Sequence, residues 1–458
     1  MRELSLLSAA AEVPDRPCLV TRNQAWSFAD VASRVAAAID ALEERGVVSG
    51  SRVAIAPKVD LDSIVWLYAL FEMGCPAVLL HPRLTAEERA HVSRLSAPTF
   101  TIDGPPSATP RVGMPPRPTV PSDRTLAIVS TSGTGGAPRG AVLSRRAFVA
   151  SSEAHAANLG WTSDDRWLLT MPPAHVGGLS IVTRCLIARR AVVVAEGHFS
   201  ADRVAEAASD RHVTLISVVP TMLARLLALS PTWVPSPSLR AVLVGGALSP
   251  PALVERAVER GVPVVTTYGC TEACSQVTTQ SLDQVGSVGS GAPLQGVGVR
   301  IVDGEIQLSG PTLMDRYEGD HPAPWTADGW FRTRDAGTFT DDGQLLVLGR
   351  LDDMIITGGE NVAPAEVEAA LEALPEVAEA CVFSMPHESW GAEVVAAVVA
   401  SVKPFDRAAV RRALRDHLAS FKHPKRLALL PALPLNRNGK VDRAAVRIRC
   451  ADLLAPFE

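Results

Sequence analysis

"STSGTGGAPRG", residues 130–140, holds four glycines, a proline and an arginine among hydroxyl side chains. Glycine lets a backbone approach a ligand closely and tolerates positive φ. Successive N–H groups of such a loop converge on one point and form an anion-binding nest. Thr131, Ser132 and Thr134 add hydroxyl donors, and Arg139 adds positive charge. Phosphate is the anion that suits this chemistry. Two familiar phosphate loops do not match. Walker A requires GxxxxGK[ST]; Gly135 and Gly140 have the spacing, but Ala141 and Val142 follow. The GxGxxG pattern fails because Pro138 stands at the third glycine position. Taken alone, the stretch could equally be a surface turn, so its meaning depends on what surrounds it.

The surroundings alternate. "SRVAIAP" (51–57), "PAVLLHP" (76–82), "RWLLTMP" (166–172), "RAVVVAE" (190–196), "VTLISVVP" (213–220), "RAVLVGG" (240–246) and "VPVVTTYG" (262–269) read as short buried strands. Amphipathic, alanine-rich stretches separate them, among them "DSIVWLYALFEMG" (62–74), with Gly74 as a C-cap. This rhythm predicts parallel sheets with helices on their faces, an α/β fold. Near residue 295 the texture changes. "GVRIVDGEIQLSG" and "TFTDDGQLLVLGR" read as hairpins about "DG" turns. Beyond Leu351 a compact α+β pattern follows: a helix over 364–377, a strand in "EVVAAVVASV" and a helix in "DRAAVRRALRDHLA". A domain boundary is therefore expected near Leu351, dividing residues 1–350 from 351–458.

A chain of 458 residues is too long for one ordinary core. Its hydrophobic content of 47% and charged content of 20% are those of a globular protein. The net charge of −5, with signs interspersed, argues against nucleic acid as a partner. No run of 18 apolar residues suggests a membrane span. The seven scattered cysteines have no zinc-like spacing and point to reduced thiols in a cytoplasm. The N-terminal "MRELSLLSAAAEVPDRP" lacks the apolar core of a signal peptide.

Further stretches carry chemistry. In "MPPAHVGGLS" (171–180), His175 could line a pocket or be structural. In "TTYGCTEACSQ" (266–276), Tyr268 offers a flat ring, Thr271 a hydroxyl, and Glu272 an oxygen of the kind Mg²⁺ prefers. Asp335 in "GWFRTRDAG" (329–337) could accept from two ribose hydroxyls. "LGRLDDMIITGGENVAP" (348–364) and "PLNRNGKVDR" (434–443), with Lys440 after a glycine, complete the set.

Together, in this order and spacing, the motifs resemble the adenylate-forming superfamily of acyl-CoA synthetases, peptide-synthetase adenylation domains and beetle luciferase. The resemblance covers nearly the whole chain. It implies a large N-terminal domain that also carries a distorted β-barrel portion, and a small mobile C-terminal domain. It also implies ATP with Mg²⁺ and CoA as the other substrates of a small carboxylic acid, and leaves room for a homodimer. By resemblance, Thr131, Ser132, Gly133, Thr134 and Arg139 would cradle the triphosphate. Tyr268 would stack on adenine near Gly246 and Ala247, with Gly269 and Thr271 in the same nucleotide site. Asp335 and Arg350 would bind ribose, Glu272 would hold Mg²⁺, and Asp352 matches the hinge. Lys440 would bridge carboxylate and α-phosphate, and Gly358 and Gly359 would line the CoA tunnel. The chain departs from the family pattern at Gly135, Arg139 and Arg334, the last standing where glycine is usual.

"YGCTEACSQ" and "PPAHVGGLSI" are similar to stretches of the o-succinylbenzoate–CoA ligases. That points to 2-succinylbenzoate, with His175, Gly178 and Ser275 at the acid pocket. Other acids, a carrier-protein acceptor, and an inactive nucleotide-binding relative are the competing readings. 2-Succinylbenzoate has two carboxylates, one to be activated and one to be neutralised. Arg184, nine residues beyond His175 in an apolar helix, is a candidate anchor for the second. An intramolecular salt bridge, or a guanidinium snorkelling to the surface, is the alternative for it.

Overall fold

A computed structural model of the chain describes residues 3–106, 111, 117–131, 139–229, 235–321, 323–357, 360–387, 390–415, 418–436 and 439–457. Two large sheets form its body. The first has nine strands in the spatial order 292–293, 275–279, 264–270, 241–244, 215–218, 166–169, 191–194, 17–20 and 25–27. Its central strands are parallel, pairing Leu215 with Ala241, Val242 with Val264, and Trp167 with Val192. They are short Val/Leu/Ala runs buried on both faces, as parallel strands between helices must be. The second sheet has six strands and contains Thr125–Thr131 and Arg139–Ser144, which flank the glycine-rich loop. The helix Leu61–Met73 is buried along nearly its whole length and packs on the helix Phe28–Glu44, and Gly74 caps it at φ 65°, as expected.

The two expected hairpins are present. Gly298–Val302 pairs with Glu305–Ser309, and Phe331–Phe339 with Leu345–Arg350. Together they form a four-stranded antiparallel sheet where a barrel-like portion was expected. A short 3₁₀ turn, Leu351–Asp353, follows. Beyond it lies a separate four-stranded sheet built on Val377–His387 and Gly391–Ala400, with the helices Pro364–Glu372, Arg407–Leu414 and Arg443–Cys450. Apolar clusters drawn from residues 355–457 share no member with those drawn from residues 4–345. The helix expected over 364–377 ends at Glu372. Pro375 disfavours helical geometry at Leu374, and Val377 already begins a strand.

Candidate active site

The carboxyl ends of the parallel strands face one cavity of about 780 Å³. Thr170, Val218, Gly245 and Gly269 come from four successive strand ends and line it. This is where open α/β sheets place ligands. Lys440 enters the same cavity from the small domain. Its turn is closed by the Asn436 N–H donating to the Lys440 carbonyl at 2.7 Å. Thr221 Oγ1 donates to the Gly439 carbonyl at 2.6 Å and docks the turn on the large domain. Gly246 stands at φ 78°, a left-handed conformation that favours glycine, beside Lys440. Burial lowers the Lys440 pKa from its usual value, opposed by the charges of Asp335 and Glu272.

Asp335 is held from two sides. Arg350 donates to Oδ1 at 2.7 Å, and the Tyr268 hydroxyl donates to Oδ2 at 2.7 Å. Each carboxylate oxygen keeps a second acceptor site for a ligand hydroxyl. Burial and then the Asp335 charge raise the Tyr268 pKa, so this hydroxyl stays a donor. Arg350 Nε is buried and has no partner among the described residues.

Glu272 lies in the 3₁₀ turn Thr271–Ala273, and its Oε1 accepts from the Tyr317 hydroxyl at 2.7 Å. The Arg139 guanidinium sits 5.5 Å from the centre of the Tyr317 ring. Sequence reasoning missed Tyr317, which stands in "DRYEGD" without a recognisable pattern. No group of three or more metal-ligating side chains occurs among the described residues. The Glu272 carboxylate nevertheless fits Mg²⁺, which is commonly held by one or two carboxylates plus substrate phosphates. Thr131 and Thr271 line the cavity, whereas Ala247 is exposed beside it. Ser132, Gly133, Thr134, Gly358 and Gly359 lie outside the described residues. Gly269 is obligatory, since a Cβ there would lie 1.5 Å from the Ser275 carbonyl oxygen. Ser275, at φ 89°, lines the cavity.

His175 caps the helix Val176–Ala188, whose Arg184 also lines the cavity. Gly178 does not line it: a Cβ there would lie 2.5 Å from the Pro172 carbonyl oxygen, so this glycine serves close packing. Its neighbour Gly177 faces the cavity instead. Arg184 is only 2% exposed. One terminal nitrogen donates to Ser151 Oγ at 2.8 Å, and the guanidinium carbon lies 5.9 Å from the centre of the Trp167 ring. Its Nε has no partner, and no ion pair to it is found among the described residues. Burial lowers its pKa to about 10, which keeps it cationic at neutral pH. Behind it, His155 packs on Trp161 and Trp167 and meets Gln276 Oε1 through Nδ1 at 3.1 Å. Ser151 and His155 were not legible as site residues, standing on one helix, Arg145–Leu159, without a motif of its own; Gln276 closes the stretch "YGCTEACSQ", in which no role was read for it.

His175 packs against His81, the rings tilted by 45° with centres 4.7 Å apart. Burial, then the charges of His81, Lys440 and Arg83, pull the His175 pKa down to about 3. It is therefore a neutral wall at working pH. The sign of the linkage follows. The unfolded chain, with an ordinary value of about 6.5, takes up the proton first, so stability is lost as pH falls below that value. At pH 5 the effect is up to about 2 kcal/mol. His175→Asn should flatten the fall in Tm between pH 7 and pH 5. An unchanged slope would show that His175 does not titrate in this way.

Residues 6–318 match the family model described as AMP-binding enzyme, and residues 366–440 match its C-terminal domain. The chain belongs to the AMP-binding enzyme family. Within it, the chain is similar to the 2-succinylbenzoate–CoA ligase of Bacillus licheniformis, 33% identical over 473 residues that cover 96% of this chain and 98% of that one. Among solved structures it is similar to o-succinylbenzoate CoA synthetase (MenE) of Bacillus subtilis. With ATP and magnesium ion bound to that enzyme, the TM-score is 0.88 at 30% identity, over 98% of this chain and 99% of the other. With the acyl-adenylate intermediate OSB-AMP it is 0.87 at 31% identity, over 98% of each chain. For a double mutant bound to the product analogue OSB-NCoA it falls to 0.71 at 30% identity, again over 98% of each.

Proposed function

We infer that the protein joins 2-succinylbenzoate to CoA at the expense of ATP, by way of an acyl-adenylate. The observation that carries the choice of acid is Arg184, a buried guanidinium that lines the cavity without an anionic partner among the described residues. An unpaired buried charge is costly unless a ligand supplies the counter-charge. A planar guanidinium suits the bidentate grip of an aromatic carboxylate. The succinyl carboxylate is then the one presented to Lys440.

A carboxylate is a poor acyl donor because its leaving group would be oxide. In the first step its oxygen bonds to the α-phosphorus and the bond to diphosphate breaks, so AMP becomes the activating group. Charge develops on phosphoryl oxygens, where a fixed cation lowers the barrier. Lys440 supplies that cation, Asp335 and Arg350 hold the ribose, and Arg139 with its loop holds the outer phosphates. Mg²⁺ held by Glu272 would neutralise part of the triphosphate charge. In the second step the CoA sulfur bonds to the acyl carbon, AMP leaves with the bonding electrons, and the thiol proton is released. The products are 2-succinylbenzoyl-CoA, AMP and diphosphate.

The thiol needs the face that the Lys440 turn occupies, so the small domain has to move between the steps. We take the boundary to lie at Leu351 and the hinge at Asp352. The fall in TM-score between two ligand states of one Bacillus enzyme supports two arrangements of a common fold. Asp352 lies in the 3₁₀ turn, whose φ values proline shares. Asp352→Pro should therefore leave adenylate formation within about twofold and slow thioester formation from preformed adenylate at least about tenfold. Near-normal rates for both steps would place the axis elsewhere. All seven cysteines are free and mostly buried, and no helix among the described residues is long and apolar enough to cross a membrane. Free thiols favour a reducing compartment, and we assign the enzyme to the cytoplasm.

A panel of acids with ATP and CoA, read by mass spectrometry of the thioester, tests the reading. 2-Succinylbenzoate should give the highest kcat/KM, ahead of benzoate, a medium-chain fatty acid and an amino acid. Preference for another acid, or for a carrier-protein thiol over CoA, would overturn it.

A further inference from the structure

Arg334 adopts a left-handed backbone, φ 61°. A non-glycine residue is strained there. Its N–H is held by Glu305 Oε1 at 3.1 Å, which keeps the backbone in that conformation. From it the side chain reaches across to the 3₁₀ turn. Nε donates to Asp352 Oδ2 at 3.0 Å, and a second nitrogen donates to Asp352 Oδ1. Two bridges therefore join the strand Phe331–Phe339 to the start of the hinge. Arg350 to Asp335 faces the ribose site, and Arg334 to Asp352 lies outside it. The first involves residues of the large domain alone. The second ends on the residue about which the small domain turns.

We propose that Arg334 is a positioning residue for the domain alternation: its forked ion pair to Asp352 latches the hinge in the arrangement that puts Lys440 in the cavity. Any turn of the backbone at Asp352 redirects that carboxylate and breaks the pair. The latch favours adenylation and slows departure towards thioester formation. Its strength is limited, because the Arg334 side chain is 61% exposed and that of Asp352 30%. It is also sensitive to salt, as exposed pairs are. The inference rests on the hinge reading given above.

The two half-reactions, measured separately by rapid mixing, test it. The readouts are diphosphate release from ATP and acid, and thioester formation from preformed adenylate and CoA. Arg334→Gly relieves the backbone and removes the fork. It should speed thioester formation about two- to fivefold at low ionic strength, the range an exposed pair allows. Adenylation should change by less than about twofold. Asp352→Asn, which removes the charge without constraining the backbone, should do the same. Added salt should bring the wild type towards both variants. The exchanged pair, Arg334→Asp with Asp352→Arg, should restore the wild-type ratio of the two rates; a purely local structural role for Arg334 would not produce that rescue. An unchanged ratio in Arg334→Gly, or opposite shifts in the two single variants, would overturn the latch. Absence of adenylate formation by the wild type with 2-succinylbenzoate would instead overturn the function from which it starts.

Discussion

Lys440→Ala should lower the rate of acyl-adenylate formation by at least about a hundredfold, while thioester formation from preformed adenylate changes by less than about threefold. The magnitude is that of losing one preorganised donor at a site of developing charge. The asymmetry follows from position. Lys440 lines the cavity, its turn docked through Thr221 on the large domain, and in the proposed function the second step withdraws that turn. The protein should stay folded. Burial already disfavours the ammonium, so its removal relieves a desolvation cost, and Asp335 keeps its pair with Arg350. Diphosphate release and single-turnover reaction of supplied adenylate with CoA separate the two steps. An equal loss in both would show that Lys440 serves the structure and not the phosphoryl transfer.

Arg184→Leu should raise the KM for 2-succinylbenzoate by one to two orders of magnitude, the worth of a charge-assisted contact of about 1.5–3 kcal/mol. The KM for ATP should barely move. The geometry adds a second expectation. Arg184 has no carboxylate partner among the described residues, so leucine strands no buried anion there, and Ser151 Oγ keeps its bond to the Cys274 carbonyl at 2.9 Å. Tm should therefore not fall. Discrimination against an analogue lacking the aromatic carboxylate should shrink by the same factor as the KM rises. A variant that unfolds would favour a structural role, and an unchanged KM for the acid would remove Arg184 as the anchor.

Much of the fold was legible because its signals are local. Short Val/Leu/Ala runs broken by amphipathic helices give parallel strands wherever helices can cover both faces, and residues 166–169, 215–218 and 241–244 did so. Gly74 ended its helix because only a left-handed residue closes that turn cheaply. The helix after Pro364 was read too long because its apolar periodicity continues past Glu372, although Pro375 forbids it. "YGCTE", Asp335, Arg350 and Lys440 could be singled out because each motif carries its own chemistry, while residues 132–138 of the glycine-rich loop lie outside the described residues. Gly178 was read as a substrate contact and is a packing glycine. Its sequence neighbourhood cannot say which of two adjacent glycines faces the cavity, and the 2.5 Å approach of the Pro172 carbonyl can.

The sequence by itself determined the layered α/β body, the order of the motifs, and the adenylate-forming chemistry those motifs imply. These depend on local propensity, on the periodicity of burial, and on residue types whose roles travel with short patterns. Only the tertiary structure decided which charges have partners. Tyr317 meets Glu272 across 45 positions of chain. Arg184 lies deep in the body with a serine and a tryptophan instead of a carboxylate. Arg334 spans 18 positions to close on Asp352. Each fact is a difference between the desolvation of a charge and the contacts that offset it. That difference is set by atoms the fold brings together from distant parts of the chain, and no window of sequence contains both sides of it.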